Sequence, residues 1–310
     1  MNADGGNRLD AAERVLRGAV GDRLRTRFPL APLTSFRLGG PAALYLEIES
    51  SDDLASVARG VTDTAIPFVV IGKGSNLLVA DEGFPGLVVR LGRAYRWTAR
   101  DGNVLRAGGA MPLPALAGVA LTHGLRGLEF GVAIPASVGG SVKMNAGAHG
   151  HALDEVVESI EIFDLANGSM RVVPASEGGF GYRASNLPEP GVIVGAGFLL
   201  APGDPEGIRK EMEEARAWRR ATQPLAEPNC GSVFKNPPGE HAARLIEAVG
   251  GKGLAVGGAR VSEKHSNFIV AGAGASARDV HALMSALRDR VLERFDVELE
   301  PEVRLIGPVV

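Results

Sequence analysis

The chain has 310 residues, 45% of them hydrophobic and 22% charged, with a formal net charge of −3. That length allows two or three domains with ample cores, and the near-balanced charge excludes a general pull toward nucleic acid or an anionic membrane. A single cysteine, Cys230, rules out an internal disulfide.

Residues 1–20 read as a loosely held helical leader, opening on the polar Met1-Asn2-Ala3-Asp4 with no apolar signal core, and Asp10 is the expected N-cap. Leu44–Ile48 reads as a strand, and Ser51-Asp52-Asp53 opens a short helix because these side chains accept from its unpaired N–H groups. Pro67–Ile71 is a buried strand running into a glycine loop. From about 91 to 203, short strands near 103–107, 160–163 and 192–194 alternate with turns, interrupted by a helix over 113–123. Asp204-Pro205-Glu206 then supplies an N-cap, an N1 proline and a first-turn acid, opening a helix with Ile208, Met212, Ala215 and Trp218 on one face. It ends near Gln223-Pro224, a connector. A helix over 240–249, the strand 267–270 and a helix over 277–295 follow, and residues 297–306 are expected as a strand returning to an earlier domain. No stretch is long and apolar enough for a bilayer: the most apolar, 191–201, is too short. A cytoplasmic protein is expected.

Two glycine-rich loops, Ile71-Gly72-Lys73-Gly74-Ser75-Asn76 and Ile134-Pro135-Ala136-Ser137-Val138-Gly139-Gly140-Ser141, are each entered from an apolar run. Bare glycine lets backbone N–H groups close on a diphosphate, and two such loops suggest a long dinucleotide held between two parts of the chain. The first loop fits neither the Rossmann nor the Walker spacing, since Leu77 stands where a third glycine belongs. Gly272-Ala273-Gly274-Ala275-Ser276-Ala277 imitates a Rossmann fingerprint, but Ser276 and Asp279 form a capping box that explains it without a ligand. Cys230 has no Cys–His signature around it, and His149 with His151 lacks a third metal ligand; no metal site is expected. Two further turns gather chemistry. Asn229-Cys230-Gly231-Ser232-Val233-Phe234-Lys235-Asn236 presents a hydroxyl, and Gly181-Tyr182-Arg183-Ala184-Ser185 presents a cation suited to an anionic substrate.

Together these segments resemble the UDP-N-acetylenolpyruvoylglucosamine reductases. The matching stretches are Thr34 to Pro41, Gly72 to Asn76, Ile134 through Gly139-Gly140 to Asn145-Ala146-Gly147, Tyr182-Arg183-x-Ser185, Cys230 to Phe234, Ser262-x-Lys264-His265-x-Asn267-Phe268, and Glu300-Pro301-Glu302-Val303-Arg304. The resemblance implies an α+β chain with an FAD-binding fold of the vanillyl-alcohol oxidase and p-cresol methylhydroxylase type, built from two subdomains, here 1–90 and 91–221. A substrate domain over 222–295 follows, and 296–310 return to the first subdomain. It implies non-covalent FAD on Arg37, Gly72, Lys73, Gly74, Ser75, Asn76, Leu77, Ile134, Pro135, Gly139, Gly140, Ser141, Asn145, Ala146, Gly147 and Arg304. Tyr182, Lys235 and Asn236 would bind substrate. The stretch between Arg183 and Ser232 is too short for the inserted tyrosine loop of longer family members, so the shorter form is expected.

The same resemblance implies that NADPH reduces FAD, which then gives hydride to the terminal carbon of an enolpyruvyl ether on a UDP-sugar. Arg183 would stabilise the charge that develops beside the carboxylate, Glu302, protonated or sharing a proton, would hydrogen-bond it, and Ser232 would protonate the carbanion. No nucleic acid, membrane or protein partner is expected, and the enzyme is expected to be a monomer. Competing possibilities are another oxidoreductase on the same FAD fold, such as an oxidase, and a non-catalytic nucleotide-binding module.

Overall fold

The computed structural model describes residues 3–308; Met1, Asn2, Val309 and Val310, at the ends of the expected leader and returning strand, lie outside the described residues. The chain forms two compact units, one built from residues up to Thr26, 44–73 and 86–217, the other from 27–43, 74–85 and everything from Trp218 on. Separate sheets and helices, with antiparallel pairing dominant, make the fold α+β.

In the first unit, helix α1 (Ala3–Val20) corrects the expected loose leader. Ala12, Leu16 and Val20 recur every fourth residue, so they share one stripe, and all three are buried. That stripe packs on α2 (Ser51–Thr64), where a Cβ on Gly60 would stand 2.9 Å from a Leu16 methyl; glycine lets the two helices close. Asp10 lies inside α1, not at its start; Leu9 before it already packs on the same core. Helix α2 opens at Ser51 as expected, and the preceding Ser50 caps it in a capping box with Asp53. Asp53 also accepts from Arg23, which with further backbone donors holds its carboxyl below the usual carboxylate range despite burial.

A four-stranded sheet runs in the order Arg25–Pro29, Pro41–Ile48, Phe84–Leu91, Phe68–Val70, the last two parallel. A five-stranded antiparallel sheet runs Ser169–Pro174, Val157–Asp164, Gly191–Leu199, Val104–Gly108, Thr98–Asp101. Helices α3 (Leu113–Thr122) and α4 (Val138–Lys143) share a core with this second sheet, around Leu105, Ile160 and Phe198. Helix α5 (Pro205–Thr222) opens as expected, with Asp204 accepting from the Gly207 N–H at 2.9 Å. Ile208, Met212 and Ala215 are buried, but Trp218 is 48% exposed, a correction to the expected apolar face.

In the second unit, helices α6 (Ala242–Ala248) and α7 (Ala277–Phe295) pack with a three-stranded sheet, Ala255–Val256, Ala259–Val261 and Ile269–Ala271, around Val261, Leu283 and Leu287. Ser276 and Asp279 cap α7, as the sequence implies, so the glycine run before it serves a helix start. Asp81 reinforces that start by accepting from the N–H groups of Ala277 and Arg278. Near the C-terminus only Arg304–Ile306 is a strand, parallel to Leu77–Val79 and in register with it.

Candidate active site

The first glycine turn leaves its strand with the Ile71 N–H on the Val89 carbonyl, 2.9 Å. A Cβ on Gly72 would lie 2.2 Å from the Ser137 Oγ, so this turn reaches the second glycine loop within the first unit. Gly139 is pinned by its N–H on the Gly109 carbonyl at 2.9 Å, and a Cβ there would crowd the Ile193 carbonyl at 3.0 Å. Gly140, beside it, is exposed. Ser141 is buried, and its Oγ has no hydrogen-bond partner among the described residues. In the second unit Gly74 sits at φ +64°, where L-residues are strained, and a Cβ would stand 2.0 Å from the Leu33 carbonyl. Two glycine turns thus meet at Gly72 and Ser137, next to the exposed Lys73, while the Gly139 N–H is already taken by the Gly109 carbonyl.

Arg183 belongs to the first unit. Gly181 and Ala184 exchange backbone hydrogen bonds at 3.1 and 3.2 Å, making a tight turn with Tyr182 and Arg183 at its tip. Arg183 takes φ +55° there, a left-handed conformation that non-glycine residues adopt rarely and that gathers at functional sites. Its Nη2 donates to the Gly147 carbonyl at 2.7 Å and its Nη1 to the Asn145 carbonyl at 3.5 Å, while the guanidinium lies 5.0 Å from the Tyr182 ring centre. Ser185 donates to the Lys143 carbonyl at 2.7 Å. The Tyr-Arg turn is therefore fastened along 143–147, directly after the second glycine loop.

Ser232 and Glu302 belong to the second unit, which brings them onto one small ladder. Ser232 bridges Phe268, the Val233 N–H donates to the Asn267 carbonyl at 2.9 Å, and the Glu302 N–H donates to the Val233 carbonyl at 2.9 Å. Asn76 closes the ladder from the first glycine turn. Its Nδ2 donates to the Glu302 carbonyl at 3.1 Å, and its own carbonyl accepts from the Arg304 N–H at 3.0 Å. Lys235 pairs with Glu300 at 2.6 Å, and Asn236 Oδ1 accepts from the Ala242 N–H at 3.0 Å, at the start of α6. Both side chains thus have local partners. Arg37 and Arg304 are exposed, and Arg37 is also left-handed at φ +57°.

Asn267 is a residue whose role the sequence did not supply. It is 3% exposed, and its amide accepts from the Phe234 N–H at 3.1 Å and donates to the Phe234 carbonyl at 2.8 Å, standing in for a missing strand. An asparagine immediately before the apolar run Phe268-Ile269-Val270 was the available signal. Cys230 is buried, and burial, with the Glu302 charge second, pushes its thiol well above the ordinary range; a thiolate nucleophile does not suit it. His151 is stacked on Phe130 and bonded to Glu155 at 2.8 Å.

Residues 42–173, which contain both glycine loops, match the family model described as FAD binding domain. With the paired turns, this makes the chain an FAD-dependent oxidoreductase. Residues 223–306 match UDP-N-acetylenolpyruvoylglucosamine reductase, C-terminal domain. The chain is 48% identical over 281 residues to the UDP-N-acetylenolpyruvoylglucosamine reductase of Heliobacterium modesticaldum, covering 90% of this chain and 89% of that one. It is 46% identical to UDP-N-acetylenolpyruvoylglucosamine reductase 2 of Symbiobacterium thermophilum, over 96% of both. The crystal structure of the Thermus caldophilus UDP-N-acetylenolpyruvylglucosamine reductase superposes with a TM-score of 0.78 at 37% identity, over 92% of this chain and 98% of that one. The chain belongs to the UDP-N-acetylenolpyruvoylglucosamine reductase family.

Proposed function

We propose that this chain reduces UDP-N-acetylglucosamine enolpyruvate to UDP-N-acetylmuramate in peptidoglycan precursor synthesis, with NADPH as reductant and FAD held without a covalent link. The observation that carries this reading is the meeting of the two glycine turns at Gly72 and Ser137 inside the FAD-binding segment. Bound FAD supplies the hydride relay between NADPH and the terminal carbon of the enolpyruvyl group. The turns 72–77 and 139–141 hold its diphosphate, and Arg37, Ile134, Pro135, Asn145, Ala146, Gly147 and Arg304 complete the cofactor's surroundings.

The remaining chemistry falls to the chain's own residues. As the double bond gains hydride at its end, negative charge develops at the neighbouring carbon and spreads into the carboxylate. Arg183 faces that charge as a fixed cation, strongest where water is excluded, and Glu302, in its protonated or proton-sharing form, donates a hydrogen bond to the same carboxylate. Ser232 delivers the proton to the carbanion carbon, for which even a weakly acidic hydroxyl suffices, so one hydride and one proton add across the C=C bond. Tyr182, Lys235 and Asn236 orient the UDP-sugar. In this reading 1–90 and 91–221 form the FAD-binding part, 222–295 the substrate domain, and 296–310 return to the first segment; support comes from family matches that cover 42–173 and 223–306. Among the described residues no helix is long and apolar enough to cross a membrane, and we place the enzyme in the cytoplasm as a monomer.

The test is a visible spectrum of the purified protein without oxygen. A flavin spectrum that bleaches with NADPH and recolours on adding UDP-N-acetylglucosamine enolpyruvate is the expected result. A colourless protein, or a reduced flavin that ignores this substrate and reoxidises only with oxygen, overturns the proposal.

A further inference from the structure

We infer that Asn145 is a positioning residue that fixes the Arg183 guanidinium through the 145–147 turn, in addition to its place beside the cofactor. Asn145 is 3% exposed, so its amide needs partners within the fold. It has two, drawn from different segments: Nδ2 donates to the Gly181 carbonyl at 3.0 Å, and Oδ1 accepts from the Asp154 N–H at 3.0 Å. One side chain thus ties the base of the Tyr-Arg turn to the strand and turn region after the second glycine loop.

The backbone of Asn145 adds a second constraint. At φ +41° it is left-handed, a conformation asparagine tolerates better than most side chains. With the chain so turned, the carbonyls of Asn145 and Gly147 both accept from Arg183. Gly147 has no room for a side chain: a Cβ there would lie 3.0 Å from the Arg183 Nη1 and 2.4 Å from the His151 carbonyl. The base of the Arg183 turn therefore rests on Asn145, and the far end of its side chain on Asn145 and Gly147. Two of a guanidinium's five donors are oriented by carbonyls, which sets the direction of the others.

This inference rests on the proposed placement of Arg183 at the substrate carboxylate, and the experiment separates the two. Asn145→Gly keeps the left-handed backbone and removes both side-chain hydrogen bonds. Asn145→Asp keeps the acceptor toward Asp154 and turns the donor toward Gly181 into a second, ionisable acceptor, and serves if the glycine variant does not fold. The readouts are the ratio of flavin reoxidation by the enolpyruvyl substrate to flavin reduction by NADPH, and the calorimetric affinity of the oxidised enzyme for UDP-N-acetylmuramate. Each is measured with Arg183 intact and in an Arg183→Ala background. With Arg183 intact, both quantities fall roughly tenfold; in the Arg183→Ala background the added loss is under about twofold, because the residue acts through Arg183. An unchanged ratio with Arg183 intact, or losses that multiply in the double variant, overturns the positioning role. If Arg183→Ala alone changes neither quantity, it is the catalytic placement of Arg183 that fails.

Discussion

The Arg183 turn and the Ser232 loop hold the groups proposed to react on opposite principles. At Arg183 the side chain itself is fastened: carbonyls of Asn145 and Gly147 accept from the guanidinium, and the residue sits in a left-handed turn. At Ser232 the backbone is fastened. Residues 233 and 234 pair with Asn267, 233 pairs again with Glu302, and Asn76 binds Glu302 in turn. The difference follows the chemistry proposed for each. A cation that stabilises charge works best when it does not reorient, whereas a hydroxyl that gives up a proton must turn its O–H toward the acceptor.

The largest effect expected from breaking this contrast is at the hydroxyl. Ser232→Ala slows reoxidation of reduced flavin by the enolpyruvyl substrate by roughly 10²- to 10⁴-fold while leaving reduction by NADPH nearly intact, measured by stopped-flow absorbance. Equal loss in both half-reactions removes Ser232 from the proton-donor role. Next is the cation: Arg183→Lys keeps the charge but cannot reproduce the fork across two carbonyls, so reoxidation drops by roughly 10²-fold. A lysine variant with full activity shows that charge alone suffices and that the fastening is incidental.

The ladder is sharpened by Asn267→Ala, which leaves both polar groups of Phe234 buried without their partner. We expect a loss of roughly 2–3 kcal/mol of stability, read as a lower thermal midpoint, together with slower reoxidation. An unchanged midpoint means that the amide does not brace the loop. Among the glycines, Gly74→Ala is expected to abolish flavin retention, since it meets both a positive φ and the Leu33 carbonyl, whereas Gly118→Ala in α3, with nothing within 4 Å, retains flavin. Comparable flavin content in both variants counts against the close-approach argument.

The smallest effect lies away from either anchor. Asp53 is held below its usual range mainly by Arg23, so its ionised form adds stability that is present at neutral pH and lost as pH falls through the folded-state value. Asp53→Asn therefore lowers the thermal midpoint at pH 7 by the equivalent of about 1 kcal/mol or less, because Arg23 is half exposed, and the difference shrinks in acid below about pH 4. A difference that grows in acid shows the opposite sign of linkage.

Local rules settled much of this chain. Capping chemistry at Asp204 and Ser276 set helix starts, since a cap needs only residues three or four positions apart. The seven collinear stretches gave the family and, with it, the residues to inspect. Where local patterns failed, a distant partner had decided: α1 owes its order to the face it buries on α2, and Trp218 stays exposed although it continues the stripe of Ile208, Met212 and Ala215.

What the sequence alone determined is which groups are present: glycine turns without side chains, one serine, one arginine and one glutamate in recognisable settings. Only the tertiary structure decided which of them share a scaffold. Asn76 and Glu302 are hydrogen-bonded across 226 positions, and Gly72 meets Ser137 because it has no Cβ to collide with the serine Oγ. Such contacts between distant segments leave no local period to read, since they depend on backbone paths that hydrophobic burial fixes elsewhere.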